Sequence, residues 1–178
     1  RLIVGTEEKK MRLRPYIHKK DFGCIRRWID GERVHSLWCA DRTPYPPEAE
    51  DFWRLLIQEE NENEGSAFTA VTDEGRPIGF FVYSADYMAN SGFLKYIIVD
   101  PDLRGQGYGT QMMALILKYA FEISGVACVS LNVFDVNESA RRCYRKAGFR
   151  EEAEEKDAFS YQNELWGRCR MTATASEK

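Results

Sequence analysis

The chain has 178 residues, of which 44% are hydrophobic, 30% charged and 13% aromatic, with a formal net charge of −3. That length suits one domain with a substantial core, and the aromatic content argues against disorder. The slight acidity gives no electrostatic footprint for nucleic acid, although a mildly acidic surface tolerates a cationic small substrate.

Residues Arg1–Lys10 are polar and charged after Leu2–Val4, so no signal peptide is expected. Met11 is a candidate native start, which would make residues 1–10 an added extension and 11–178 the domain. Met11–Ile17 alternates like an opening strand, with Pro15 marking an edge or an end. Phe22, Ile25, Arg26 and Ile29 recur at helical spacing between Lys19 and Asp30, with Gly31 as the stop. Asp41–Pro47 holds three prolines and reads as a loop. A helix follows from Pro47, with acidic residues crowding its positive end. Ser66–Thr72 and Pro77–Ser84 form a hairpin, Ala85–Gly92 a second turn, and Phe93–Asp100 a strand. A helix over Gly109–Ser124 places Met112, Met113, Ile116, Leu117, Ala120 and Ile123 on one face. Ala127–Phe134 is a strand, Asn137–Ala147 a short helix, Glu151–Lys156 a solvated charged loop, and Glu164–Ala173 the last strand. The order is mixed α/β. No apolar run approaches the ~20 residues of a membrane span. Five cysteines without a C-x-x-C pair, beside only two histidines, offer no zinc spacing. They read as reduced thiols of a cytoplasmic protein.

The informative stretch is Arg104-Gly105-Gln106-Gly107-Tyr108-Gly109, set between a strand and a helix. The strand–loop–helix–strand unit around it predicts two parallel strands, and ligands collect beyond the carboxyl ends of such strands. A helix start there favours an anion. The glycines remove Cβ atoms that would hold a phosphate away, and Arg104 adds a cation. The spacing G-x-G-x-G departs from a dinucleotide fingerprint, and Gly109-Thr110-Gln111 lacks the lysine of a P-loop. A tight turn without a ligand is the alternative. Downstream, Asn137 and Tyr144 stand nearly two turns apart on one helix face, at about 3.6 residues per turn. Ala140 lies between them and Ala147 beyond, which keeps that face shallow. Tyr144 could donate a proton beside an anion site, or pack in the core. Asn137 reads first as a helix N-cap.

With Arg104, Gly107 and Gly109 in R/Q-x-x-G-x-G/A, the chain resembles the GNAT superfamily of N-acetyltransferases. Leu131, Val133, Asn137, Ala140, Tyr144, Gly148 and Phe149 match the companion segment L-x-V-x-x-x-N-x-x-A-x-x-x-Y-x-x-x-G-F. The opening Arg12–Asp21 looks like that of ribosomal-protein and antibiotic acetyltransferases. The resemblance implies a central mixed twisted sheet with helices on both faces, acetyl-CoA as cofactor, and frequent homodimers. It implies that Arg104, Gly105, Gln106, Gly107, Tyr108, Gly109 and Thr110 bind the pyrophosphate. Ile97, Ile98 and Val99 would pair with the pantetheine arm, Asn137 would contact it, and Tyr144 would protonate the departing thiolate. The acceptor would be a primary amine, on a small molecule or a protein N-terminus. Asn132 stands where some relatives carry a glutamate base. Trp38 and Tyr45 are the candidates for acceptor contact, and Tyr83, Asp86 and Glu50 the other candidates beside the acceptor, where a base would act. A CoA-sensing module without turnover and a ligand-free structural domain are the rival readings.

Overall fold

The computed structural model of the protein describes residues 10–176; the expected extension 1–10, apart from Lys10, lies outside them. One sheet of seven strands runs through the described chain: β1 Met11–Pro15, β2 Ser66–Thr72, β3 Pro77–Asp86, β4 Ser91–Val99, β5 Cys128–Phe134, β6 Arg150–Tyr161 and β7 Glu164–Thr174. Their spatial order is β1-β2-β3-β4-β5-β7-β6, antiparallel throughout except for the parallel β4–β5 pair. That exception is the pair joined by a helical crossover, as the sequence predicts.

Strand alternation sends successive side chains to opposite faces, and in β3 both faces are apolar. Phe80 and Val82 join Phe22, Ile25, Phe52 and Leu56 under three helices, α1 His18–Trp28, α2 Glu32–Cys39 and α3 Ala49–Asn63. Phe81 and Tyr83 join Met112, Met113 and Ile116 under α4 Tyr108–Lys118, and Tyr144 of α5 Glu138–Lys146 belongs to the same cluster. The sheet is thus covered on both faces, which is the mixed α/β arrangement expected.

Three details differ from the sequence reading. Helix α2, short and placed after Gly31, went unforeseen, although Val34, Leu37 and Trp38 already carry helical spacing. Glu151–Lys156 is no loop; it lies within β6, the outermost strand, paired to β7 from Arg150↔Thr172 to Tyr161↔Glu164. Its carboxylates and lysine face solvent and blunt an edge that would otherwise recruit other strands. Ile123 is 75% exposed rather than on the buried face. The helix widens into a π turn over Tyr119–Ser124, with Gly125 N–H donating to Ala120 O, and the wider turn rotates Ile123 off the buried stripe.

Candidate active site

The β4–β5 register ends at Leu94↔Leu131, though both strands continue past it. The edge of β4 beyond Leu94 therefore has no β5 partner. Between Lys95 and Ile98 the register with β3 also shifts, and Tyr96 adopts φ 54°. A bulge of this kind bends the strand and re-aims it. The result is a cleft of about 480 Å³ between the parted strands.

The glycine loop closes one end of this cleft. Asp100 is buried at the end of β4; its carboxylate accepts from Asp102 N–H at 3.0 Å and pairs with Arg76 at 3.1 Å, which sets the 3-10 turn Pro101–Leu103. Gly107 is the N-cap of α4 at φ 83°, and no side chain caps the helix start. Left-handed backbone is open to glycine and strained for others. Gly109 serves a different need: a Cβ there would stand 3.1 Å from Cys143 Sγ, so glycine lets α4 and α5 meet closely.

Helix α5 forms the opposite wall. Asn137 Oδ1 accepts from Ala140 N–H at 3.4 Å, the capping role its type favours, and Asn137 also lines the cleft. Tyr144 is 8% exposed and lines the cleft with a hydroxyl that has no hydrogen-bond partner among the described residues. Burial pushes its phenol well above the ordinary value, so it stays protonated. The basic side chains of α5 divide by face. Arg141 and Arg145 pair with Glu138 and Glu151. Arg142 and Lys146 line the cleft and make no ion pair among the described residues. Burial raises the Cys143 thiol, which leaves it a poor nucleophile.

The sequence candidates separate cleanly. Ile97, Ile98, Val99, Arg104, Gly105, Gly107, Tyr108, Gly109, Thr110, Asn137 and Tyr144 all line the cleft. Gln106 does not; its amide donates back to Asp102 O at 3.3 Å. Trp38 lines the cleft and donates from Nε1 to Tyr96 O at 2.9 Å. Tyr45 lies instead in a second hollow beyond α2, beside His35 and Asp41. Tyr83 and Asp86 are not among the residues that line this cleft. Tyr83 is buried against Tyr119 and bonded to Ser124 at 2.7 Å. Asp86 caps the β3–β4 turn, accepting from Met88 and Ala89 N–H, at the end of β4 remote from the glycine loop. Glu50 is an exposed partner of Arg54. Asn132 is exposed and lines the cleft, and among the described residues no carboxylate or imidazole joins it there. Sequence reasoning missed Lys95 and Tyr96, set among the apolar side chains of Phe93–Val99, and Arg142 and Lys146, whose spacing from Ser139 and Cys143 already marks one helix face.

A parted parallel strand pair, a glycine-capped helix start and a buried tyrosine hydroxyl with no hydrogen-bond partner among the described residues thus meet in one cleft. The profile of the Acetyltransferase (GNAT) family matches residues 31–149, and the chain belongs to that family of N-acetyltransferases. It is 30% identical over 132 residues to the peptidyl-lysine N-acetyltransferase YjaB of Escherichia coli, covering 70% of this chain and 78% of the relative. The Salmonella typhimurium YjaB is 26% identical over 127 residues, 70% of this chain and 79% of the relative. In fold it superposes with a TM-score of 0.79 on spermidine N-acetyltransferase from Vibrio cholerae, solved in complex with CoA and spermine, at 20% identity and over 94% of this chain and 96% of that one. Among the described residues no helix is long and apolar enough to cross a membrane.

Proposed function

We propose that residues 11–178 act as one acetyl-CoA-dependent N-acetyltransferase domain whose acceptor is a primary amine, on a small molecule or a protein N-terminus. One observation carries the reading: the β4 edge left without a β5 partner beyond Leu94, the glycine-capped start of α4 and the Tyr144 hydroxyl all border the same cleft. The residues fit the cofactor. The start of α4 offers N–H groups and a positive dipole end to a pyrophosphate. Arg104, Arg142 and Lys146, which form no ion pair among the described residues, line the same cleft as cations for its phosphates. The edge of Ile97–Val99 can pair with an extended amide-bearing arm as an added strand. When bound, acetyl-CoA supplies a thioester whose carbonyl carbon accepts the amine. A main-chain N–H of β4 polarises that carbonyl oxygen. Asn137 holds the arm, and Tyr144 keeps a proton at its phenol oxygen for the departing sulfur.

With no carboxylate or imidazole among the described residues that line the cleft, the amine would lose its proton to water or before entry. A lysine-like amine of pKa ~10.4 is neutral in on the order of one molecule in a few thousand at pH 7. An α-amine near pKa ~8 is far better placed. The expected consequence is that kcat/KM for each acceptor rises with pH and levels off at that acceptor's own pKa. A plateau at one common pH for all acceptors would point instead to a base supplied by the protein.

The deciding experiment is release of free thiol from acetyl-CoA across a panel of polyamines, lysine peptides and N-terminal peptides. Acceptor-dependent thiol is expected from at least one class. None above background hydrolysis would sink the catalytic reading. The free cysteines support a cytoplasmic setting, and a homodimer belongs to the same proposal, to be checked by sedimentation.

A further inference from the structure

Successive side chains of a strand point to opposite faces, so neighbours in sequence do not ordinarily reach one partner. In β4 two of them do. The Glu59 carboxylate of α3 accepts from Lys95 Nζ at 2.9 and 3.2 Å and from the Tyr96 hydroxyl at 3.0 Å. This is geometrically possible because the alternation breaks at Tyr96, where φ is 54°. The register places Lys95 opposite Val82 and Ile98 opposite Phe80, leaving Tyr96 and Ile97 against Phe81 alone. A positive φ is strained at a bulky aromatic residue and persists only where its surroundings over-determine it.

Glu59 and Trp38 supply those surroundings. Glu59 is 2% exposed and is braced by Asn63 at 3.1 Å. Burial alone would lift its carboxyl, yet the Lys95 ammonium, with the Tyr96 and Asn63 hydrogen bonds, holds it below the ordinary carboxylate value. From α2, Trp38 Nε1 donates to Tyr96 O, and the two rings meet edge-on with centroids 6.0 Å apart. A straightened β4 would turn either the ammonium or the hydroxyl away from α3. A buried carboxylate would then be short of a donor, which is strongly disfavoured. The residues so gripped lie just past Leu94, where the β5 pairing ends and the cleft opens.

We propose that Glu59 is a positioning residue: by holding Lys95 and Tyr96 together from α3 it selects the kinked form of β4 and so aims the strand edge that meets the acyl group. The inference rests on the acetyl-CoA reading for its functional consequence. The same contact turns the Lys95 ammonium toward α3, so that its charge in the cleft is offset before a cationic amine arrives.

The test compares Glu59→Gln, which keeps the volume but offers one acceptor oxygen in place of two, with Glu59→Ala and Tyr96→Phe. Measured are thiol-release kcat, CoA affinity by calorimetry, melting temperature and the crystal structure of each variant. A misaimed edge should lower kcat about tenfold or more while CoA affinity stays within about threefold, because the hydrogen bonds of Glu59 go to Asn63, Lys95 and Tyr96, which lie outside the glycine loop and the start of α4. The variant structures should show Tyr96 at negative φ. An ion pair that only stabilised the fold would lower the melting temperature and leave kcat of the folded enzyme unchanged. That outcome, or a Glu59→Ala structure with Tyr96 still at positive φ, overturns the proposal. Should Glu59→Ala fail to fold, Glu59→Gln and Tyr96→Phe decide it by the same criteria. If the wild-type chain binds no CoA and releases no thiol, the acetyl-CoA reading fails, while the conformation of Tyr96 in the variants still decides the role of Glu59.

Discussion

Replacing Tyr144 with phenylalanine is expected to lower kcat for thiol release by about 10²–10⁴-fold, the usual range for a lost proton donor. The KM for acetyl-CoA should move by less than about threefold, since an interaction made only at the transition state affects kcat and leaves ground-state binding alone. The variant keeps everything else the residue does. Its ring would still pack against Phe149, with centroids 6.1 Å apart in the parent, and the substitution removes one oxygen that bonds to no described residue. Folding should be unaffected, so melting temperature serves as the control. The pH profile gives a second handle. Burial, and then the neighbouring Cys143, raise the phenol above its ordinary 10.0. The donor form is therefore complete at neutral pH and is lost only as pH climbs past that raised value. No alkaline fall in kcat below pH 10.0 should trace to Tyr144. An unchanged kcat in the variant would reduce Tyr144 to a packing residue and move the search for the donor to water.

The parts of the site legible in the sequence are those dictated by short-range rules. Glycines before a helix start report a backbone need that no other residue meets. The spacing from Asn137 to Tyr144 fixes a face whatever else the chain does. Parallel β4 and β5 follow from the crossover helix between them. The parts that stayed hidden are set by residues far away in sequence. Nothing in Phe93–Val99 announces a kink, because the conformation of Tyr96 is held by Glu59 from α3 and Trp38 from α2. The charged run of β6 carries no apolar alternation, because an edge strand's backbone can pair with β7 while its side chains stay in water. The loop after β3 suggests an acceptor role for Tyr83 and Asp86. A strand as long as β4 separates that loop from the glycines, and β-pairing puts the two at opposite ends. Arg142 and Lys146 look no different from Arg141 and Arg145 until Glu138 and Glu151 are seen to engage one pair alone.

Gly107→Val should weaken CoA binding more than any other single change in the loop. Valine would have to hold φ near 83° at the N-cap of α4, a conformation that costs about 1–2 kcal/mol for a residue with a Cβ and more for a β-branched one. Escape from that strain would tilt the first turn, so that the N–H groups proposed to hold the pyrophosphate no longer converge. Strain and lost contacts together predict a Kd for CoA raised by about 30-fold or more, read by calorimetry, with the CoA-induced rise in melting temperature reduced to match. Crowding can be told apart from strain within the same loop. Gly107 has nothing within 4 Å of its would-be Cβ, so trimming neighbours cannot rescue it. Gly109 has no left-handed φ, and its would-be Cβ meets Cys143 Sγ at 3.1 Å. Gly109→Ala should therefore weaken CoA binding less and regain most of the loss when Cys143→Ala opens the space. Rescue at Gly109 without rescue at Gly107 is the pattern of a backbone cradle for a diphosphate. Wild-type affinity in Gly107→Val would show that the start of α4 grips nothing.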